Sequence, residues 1–186
     1  MARETGLNVS TTVRFLKTPV NEGLVAPWNL TPTGRIVLSD RVVPINVVDA
    51  DMRPGARLPD LVGAVGRCVA AQRGYDRNAM QQIHEALRWQ NSPGFEAYRA
   101  DVQRAREDGF AFGFGTLFKG LNMAAAVVRD LEGVPKLGLS AISISDQNPR
   151  EEPHQAALAL KDAASYIETN VFGRRDATAF QARDPG

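Results

Sequence analysis

Between Phe110 and Ser145 the chain carries three apolar runs separated by links too short to cross a sheet. Phe110, Phe112 and Phe114 alternate with Ala111 and Gly113, which sets three rings on one face of a strand. Runs at 121–129 and 134–145 follow, joined by Asp130-Leu131-Glu132-Gly133, a connection of hairpin length. A parallel crossover needs about a dozen residues or more. The three runs therefore read as antiparallel neighbours, and the rest of the chain must pack on the sheet they start.

Upstream, Leu61, Val62, Val65, Cys68 and Val69 recur at helical spacing, which predicts a helix over 60–72 with Asp60 as its cap. Asp76 starts a second, with Met80, Ile83 and Leu87 on one face. Ser92-Pro93 opens a third, since proline fits the first helical turn. Phe95, Tyr98, Val102 and Ala105 line its buried side, and Gly109 stops it. The β-branched runs at 35–39 and 42–48 read as strands, and 26–34 as a connection or short strand turning at Thr33–Gly34. Nearer the N-terminus, Ser10 caps a helix that Pro19 ends or kinks. After Asn148-Pro149 a long helix spans about 152–172, with Leu160, Ala164, Ile167 and Val171 as its stripe and Gly173 as its stop. Residues 174–186 are polar without period and are expected to fray. The order helix, two strands, three helices, three strands, helix predicts an α+β fold, an antiparallel sheet flanked by helices.

Composition removes several function classes. The 186 residues hold 22 Lys and Arg against 21 Asp and Glu, a net charge of +1, so a broad basic face for nucleic acid is not expected. No apolar stretch approaches the roughly 20 residues of a membrane span, and no apolar signal core opens the chain, which reads as cytoplasmic. The lone Cys68 points to a reducing compartment and falls on the apolar side of its helix, as a small filler rather than a nucleophile. Two histidines, His84 and His154, both on predicted helices and read as exposed, cannot supply a metal site with one cysteine. Gly115 and Gly120 have phosphate-loop spacing, but Leu121 and Asn122 stand where Lys and Ser or Thr are required. Asp49 and Asp51 sit beside Pro54-Gly55 and read as a solvated loop. No Gly-x-Ser-x-Gly elbow occurs. No catalytic constellation, metal set or cofactor site is expected.

Four segments together carry a resemblance. Residues 55–71, GARLPDLVGAVGRCVAA, are similar to the Gly-x-x-Leu-Pro signature of the effector-binding domain of IclR-family transcriptional regulators. VQRAREDGF at 102–110 resembles that family's helix-to-strand junction, and KGLNMAAAVVRD at 119–130 and VPKLGLSAISIS at 134–145 resemble its next two strands. The long last helix completes the match over roughly 35–173. The resemblance implies a GAF-like, profilin-like sheet flanked by helices, binding a small organic acid, with an aromatic or aliphatic ligand suggested by Ala126-Val127 where relatives carry Pro. Carried over by position, the implied effector-binding residues are Gly63, Ala64, Leu117, Met123, Ala125, Val127, Ser143 and Ser145, with Trp28, Phe112, Phe114 and Phe118 as further rings.

The N-terminus resembles the recognition half of the same family's winged helix-turn-helix. Thr5, Gly6, Leu7, Ser10, Thr11, Arg14, Leu16, Thr18, Gly23, Leu24 and Val25 match, while Phe15 and Pro19 depart from it. Ser10, Thr11, Thr12, Arg14 and Lys17 are the implied DNA contacts. The expected organisation is 1–25 as a partial winged helix or as the first helix of the effector domain, 26–173 as that domain, and 174–186 as a tail. The implied partners are a small-molecule effector, DNA in the full-length regulator, and further copies of the chain as a homodimer or homotetramer, with no membrane. A sensor that has lost DNA binding is the alternative.

Overall fold

The computed structural model describes residues 24–31, 35–41, 53–59, 61–89, 91–116, 119–144 and 151–174. Six strands form one antiparallel sheet: β1 Leu24–Leu30, β2 Ile36–Leu38, β3 Arg57–Leu58, β4 Phe110–Phe114, β5 Leu121–Arg129 and β6 Pro135–Ile144, in the order β3-β2-β1-β6-β5-β4. Helices α1 Gly63–Arg73, α2 Arg77–Ala86 and α3 Phe95–Asp108 separate β3 from β4, and α4 Glu151–Asn170 follows β6. This is the α+β fold read from the sequence.

The three C-terminal strands pair as their short links require. Phe112 faces Ala124 across β4–β5, and Ala124 faces Ala141 across β5–β6. Alternation then divides β5 between two cores. Met123, Ala125 and Val127 face α1 and α3, and Ala124, Ala126 and Val128 face α4. Burial on both faces is why the run reads as continuously apolar.

The other half of the sheet departs from the sequence reading. The stretch expected to be a connection or short strand is β1, third in the order, although it contains Pro27. A residue's N–H and C=O point to the same neighbour in a strand. The Pro27 carbonyl accepts from Ser39 N at 2.9 Å on the β2 side, so its missing donor falls beyond the end of β2 and costs the β1–β6 ladder nothing. The strand expected at 42–48 and the helix after Ser10 lie outside the described residues. The two-residue β3 was not foreseen; Gly55 N donates to Leu38 O and turns the chain back onto β2.

Helix boundaries show the same local chemistry. Asp76 caps α2 by accepting from Ala79 N at 2.8 Å. By contrast α1 starts later than expected: its cap position is Val62, extended and without a side-chain cap, rather than Asp60, which lies outside the described residues. Pro93 precedes α3 by two residues instead of opening it, and Gly94 takes the cap position. Because α4 ends at Asn170, Val171 leaves the stripe and is exposed, and Ala157 joins Leu160, Ala164 and Ile167 in the core. Beyond it, Arg174 does not fray: its N–H donates to Glu168 O at 2.8 Å. Residues 175–186 lie outside the described residues.

Candidate functional site

One glycine lets α1 lie close against the sheet. A Cβ on Gly138 of β6 would stand 2.6 Å from Val65 Cγ1, and Val65 is buried with nowhere to go. At Gly113 of β4 the fit is looser: a Cβ there would make ordinary contacts, 3.5 Å from Ala64 N and 3.8 Å from Met123 Cβ. The start of α1 thus rests on the region where β4 and β5 carry their smallest residues.

That start is held from the side by α3. Gly63 has φ of +70°, a left-handed conformation suited to glycine, and its carbonyl accepts from Arg67 Nη1 at 3.1 Å. Arg67 is buried, donates Nε to Asp101 at 3.2 Å, and places its guanidinium 5.1 Å from the Tyr98 ring centre. Arg104 pairs with the other oxygen of Asp101. The Tyr98 hydroxyl donates to Leu61 O at 2.9 Å, and burial pushes its pKa up. Side chains from α1 and α3 therefore fix the backbone at 61–63, while the first-turn N–H groups of α1 have no partner within the helix and no side-chain cap.

The implied effector residues divide. Gly63, Ala64, Met123, Ala125 and Val127 come together on the α1 face, in or beside one buried cluster. Ser143 does not join them. It shares parity with Leu139 and Ala141, which pack on the α4 face, and stands opposite Asn122. The serine of β6 on the α1 side is Ser140, whose hydroxyl accepts from Trp28 Nε1 at 2.8 Å and donates to Ala26 O at 3.4 Å. Leu117, Phe118 and Ser145 lie outside the described residues, as do Ser10, Thr11, Thr12, Arg14 and Lys17. The rings separate too: Trp28 is buried on the α1 face, whereas Phe112 and Phe114 stack at 5.4 Å on the other. Two clefts among the described residues, of about 300 and 440 Å³, are lined by different side chains.

Cys68 is the expected filler. It is buried, donates to Ala125 O at 3.3 Å, and burial pushes its thiol up to about 12, with Arg67 opposing. His84 is not exposed as expected. It is buried among Trp89, Phe95 and Tyr98, ring centres 5.2 to 5.7 Å away, with Nε2 unpartnered. Burial lowers its pKa, the Arg67 charge lowers it further, and Glu85 opposes. His154 is exposed and lies edge-on to Phe110. Among the described residues no group of three His, Cys, Asp or Glu could hold a metal ion, and no helix is long and apolar enough to cross a membrane. The Arg67–Asp101–Tyr98 network was missed; Tyr98 was placed on the buried side of its helix, but Arg67 falls outside the stripe of Val62, Val65, Cys68 and Val69, and nothing in the sequence marks it as a buried charge.

The family model of the bacterial transcriptional regulator IclR C-terminal domain matches residues 29–169. That span takes in every described element except the first strand's leading residues and the end of α4. Similar solved structures include the IclR transcriptional regulator from Alicyclobacillus acidocaldarius, 21% identical with a TM-score of 0.74 over 89% of this chain and 69% of that one. The repressor BlcR from Agobacterium tumefaciens is 16% identical, with a TM-score of 0.75 over 92% and 69%. Thermotoga maritima IclR is 16% identical, with a TM-score of 0.72 over 89% and 69%. No curated protein matches the sequence. The chain belongs to the IclR family of transcriptional regulators, through its C-terminal domain.

Proposed function

We propose that this chain is the effector-sensing part of a ligand-responsive transcriptional regulator. In this reading a small organic acid binds over the start of α1, against Gly63, Ala64, Met123 and Ala125, with Val127 deeper on the same strand. Leu117 and Ser145, outside the described residues, are assigned to the same site by position, and Ser143 lies on the opposite face of its strand. The observation that carries the reading is the start of α1: buried, without a side-chain cap, and clamped by Arg67 and Tyr98 so that its N–H groups keep a fixed direction. Fixed N–H groups over an apolar floor suit a carboxylate joined to an apolar body. The protein binds and releases, with no chemical step of its own.

Binding would shift the assembly of a homodimer or homotetramer, and with it the placing of DNA contacts such as Ser10, Thr11, Thr12, Arg14 and Lys17. Such control requires unequal ligand affinity in the two states. It would operate in the cytoplasm. The near-neutral charge favours a second reading, a sensor without DNA binding.

A thermal-shift screen of aliphatic and aromatic carboxylic acids tests the first claim. A ligand at about a hundred times its Kd adds about 2.7 kcal/mol, which at this size raises Tm by about 5–10 °C. Response to nucleotides alone, with none to acids, would reject the site. Retardation of the gene's upstream DNA at low salt, reversed by the acid, separates regulator from stand-alone sensor.

A further inference from the structure

Away from the start of α1, helices α2 and α3 diverge around a cleft of about 440 Å³. Its floor is apolar, with Met80 and Val102 buried and Tyr75 half-buried. Its rim is basic: Arg77, Arg99 and Arg106 line it with a single acid, Glu96. Arg77 pairs with Glu96, and Arg99 Nε approaches the same carboxylate at 3.3 Å. Arg106 donates Nε to Ala71 O at 3.0 Å, which steadies its guanidinium and leaves its terminal nitrogens without a carboxylate among the described residues. Three guanidinium groups against one carboxylate give this cleft an excess of +2, in a chain whose whole net charge is +1.

We propose that the α2–α3 cleft is a docking site for an acidic amphipathic segment of a partner protein. The apolar floor takes the segment's aliphatic face, and the rim takes its carboxylates, for which the planar guanidinium fork is suited. Glu96 occupies the rim as a stand-in for one incoming carboxylate, since it already collects two of the three arginines. Duplex DNA fits less well. Its phosphates would gain nothing from a concave apolar floor and would meet Glu96 directly.

The test uses the full chain and a labelled model peptide of about four helical turns. One face of the peptide is leucine and the other glutamate, with Glu→Gln and Glu→Lys counterparts as controls. The acidic peptide is expected to bind in fluorescence anisotropy and the basic one not, with affinity falling as salt rises from 50 to about 300 mM. R99E and R106E each weaken binding by about tenfold, the value of one charge-assisted contact. E96Q removes the competing carboxylate and strengthens binding by about threefold or more. An unchanged circular-dichroism spectrum and a cooperative melt in each variant verify that the fold is kept, although R106E also loses the bond to Ala71 O. Equal binding of all three peptides, no binding of the acidic one, weaker binding to E96Q, or DNA binding lost in the same arginine variants would each overturn the proposal. Because the start of α1 is untouched, an effector response that survives in R99E and R106E separates failure of this site from failure of the effector site.

Discussion

The two faces of the sheet are covered by different kinds of chemistry. On the α4 face the contacts are small and apolar: Ala124, Ala126 and Val128 meet Ala157, Leu160, Ala164 and Ile167. Its ionic contacts lie at the far end, where Glu168 accepts from the backbone and guanidinium of Arg129 at 2.8 Å. On the α1 face polar groups are built into the core itself: Arg67, the Tyr98 hydroxyl, His84, and the Trp28–Ser140 hydrogen bond. A packed apolar face gives stability without a directional demand. Buried polar groups fix backbone direction, because each must find its partner or bear a desolvation cost. The α4 face is thus packed as an anchor, and the α1 face is the one that the proposed effector site would use.

The largest effect that separates them is L160A. Emptying a buried leucine costs about 2–5 kcal/mol, read from urea unfolding, yet the Tm rise given by a bound organic acid should match that of the parent. Next comes G138A. The added methyl forces Val65 and α1 off the sheet, and overpacking of this kind costs about 1–3 kcal/mol. Here the ligand-dependent rise should shrink as well, because Gly63 and Ala64 move with the helix. Loss of the rise in L160A, or its full retention in G138A, would dissolve the distinction between the faces.

An effect of similar size but more local is expected for R67M. It keeps the volume of the stem but leaves Gly63 O and one Asp101 oxygen without their donor, at about 1–3 kcal/mol. Lysine at this position reaches only one acceptor and rescues in part. Ligand affinity should fall more in R67M than in an equally destabilised α4-face variant such as A164G; equal losses would mean that Arg67 supports the fold and nothing more.

The C-terminal half was legible because its constraints are local. Four residues between the runs at 121–129 and 134–145 permit only a hairpin, and the 110–114 alternation places the phenylalanines unaided. β1 was legible as a connection or short strand but not as an inner strand, since Pro27 argues against that place and only the pairing with β6 shows that its missing N–H is harmless. The division of the effector set has a similar cause. Ser143 and Met123 were each placed on a strand correctly, but which face of one strand matches which face of the next depends on register, and opposed Asn122 and Ser143 put the serine with α4. His84 was read by residue type, and type predicts exposure; Arg67 was not singled out, for the same reason. Their burial follows from the aromatic side chains of α3 and the 89–95 segment, which come from elsewhere in the chain.

The smallest effect concerns His84 and acid. Burial keeps its imidazole neutral, and the Arg67 charge adds to this, so its folded pKa lies below the ordinary value of about 6.5. The unfolded chain then binds the extra proton first as pH falls. Stability from this residue is complete above about pH 6.5 and is lost as pH falls through the folded pKa. In H84F the ring contacts with Trp89, Phe95 and Tyr98 are kept, the unpartnered Nε2 is gone, and the proton has no site. Urea midpoints at pH 7.5 and 5.5 should therefore differ less in H84F than in the parent, while the carboxylates of both proteins respond alike. Equal pH dependence in the two proteins would show that His84 is protonated within the fold without cost, and would remove the buried imidazole from the features that set the α1 face apart.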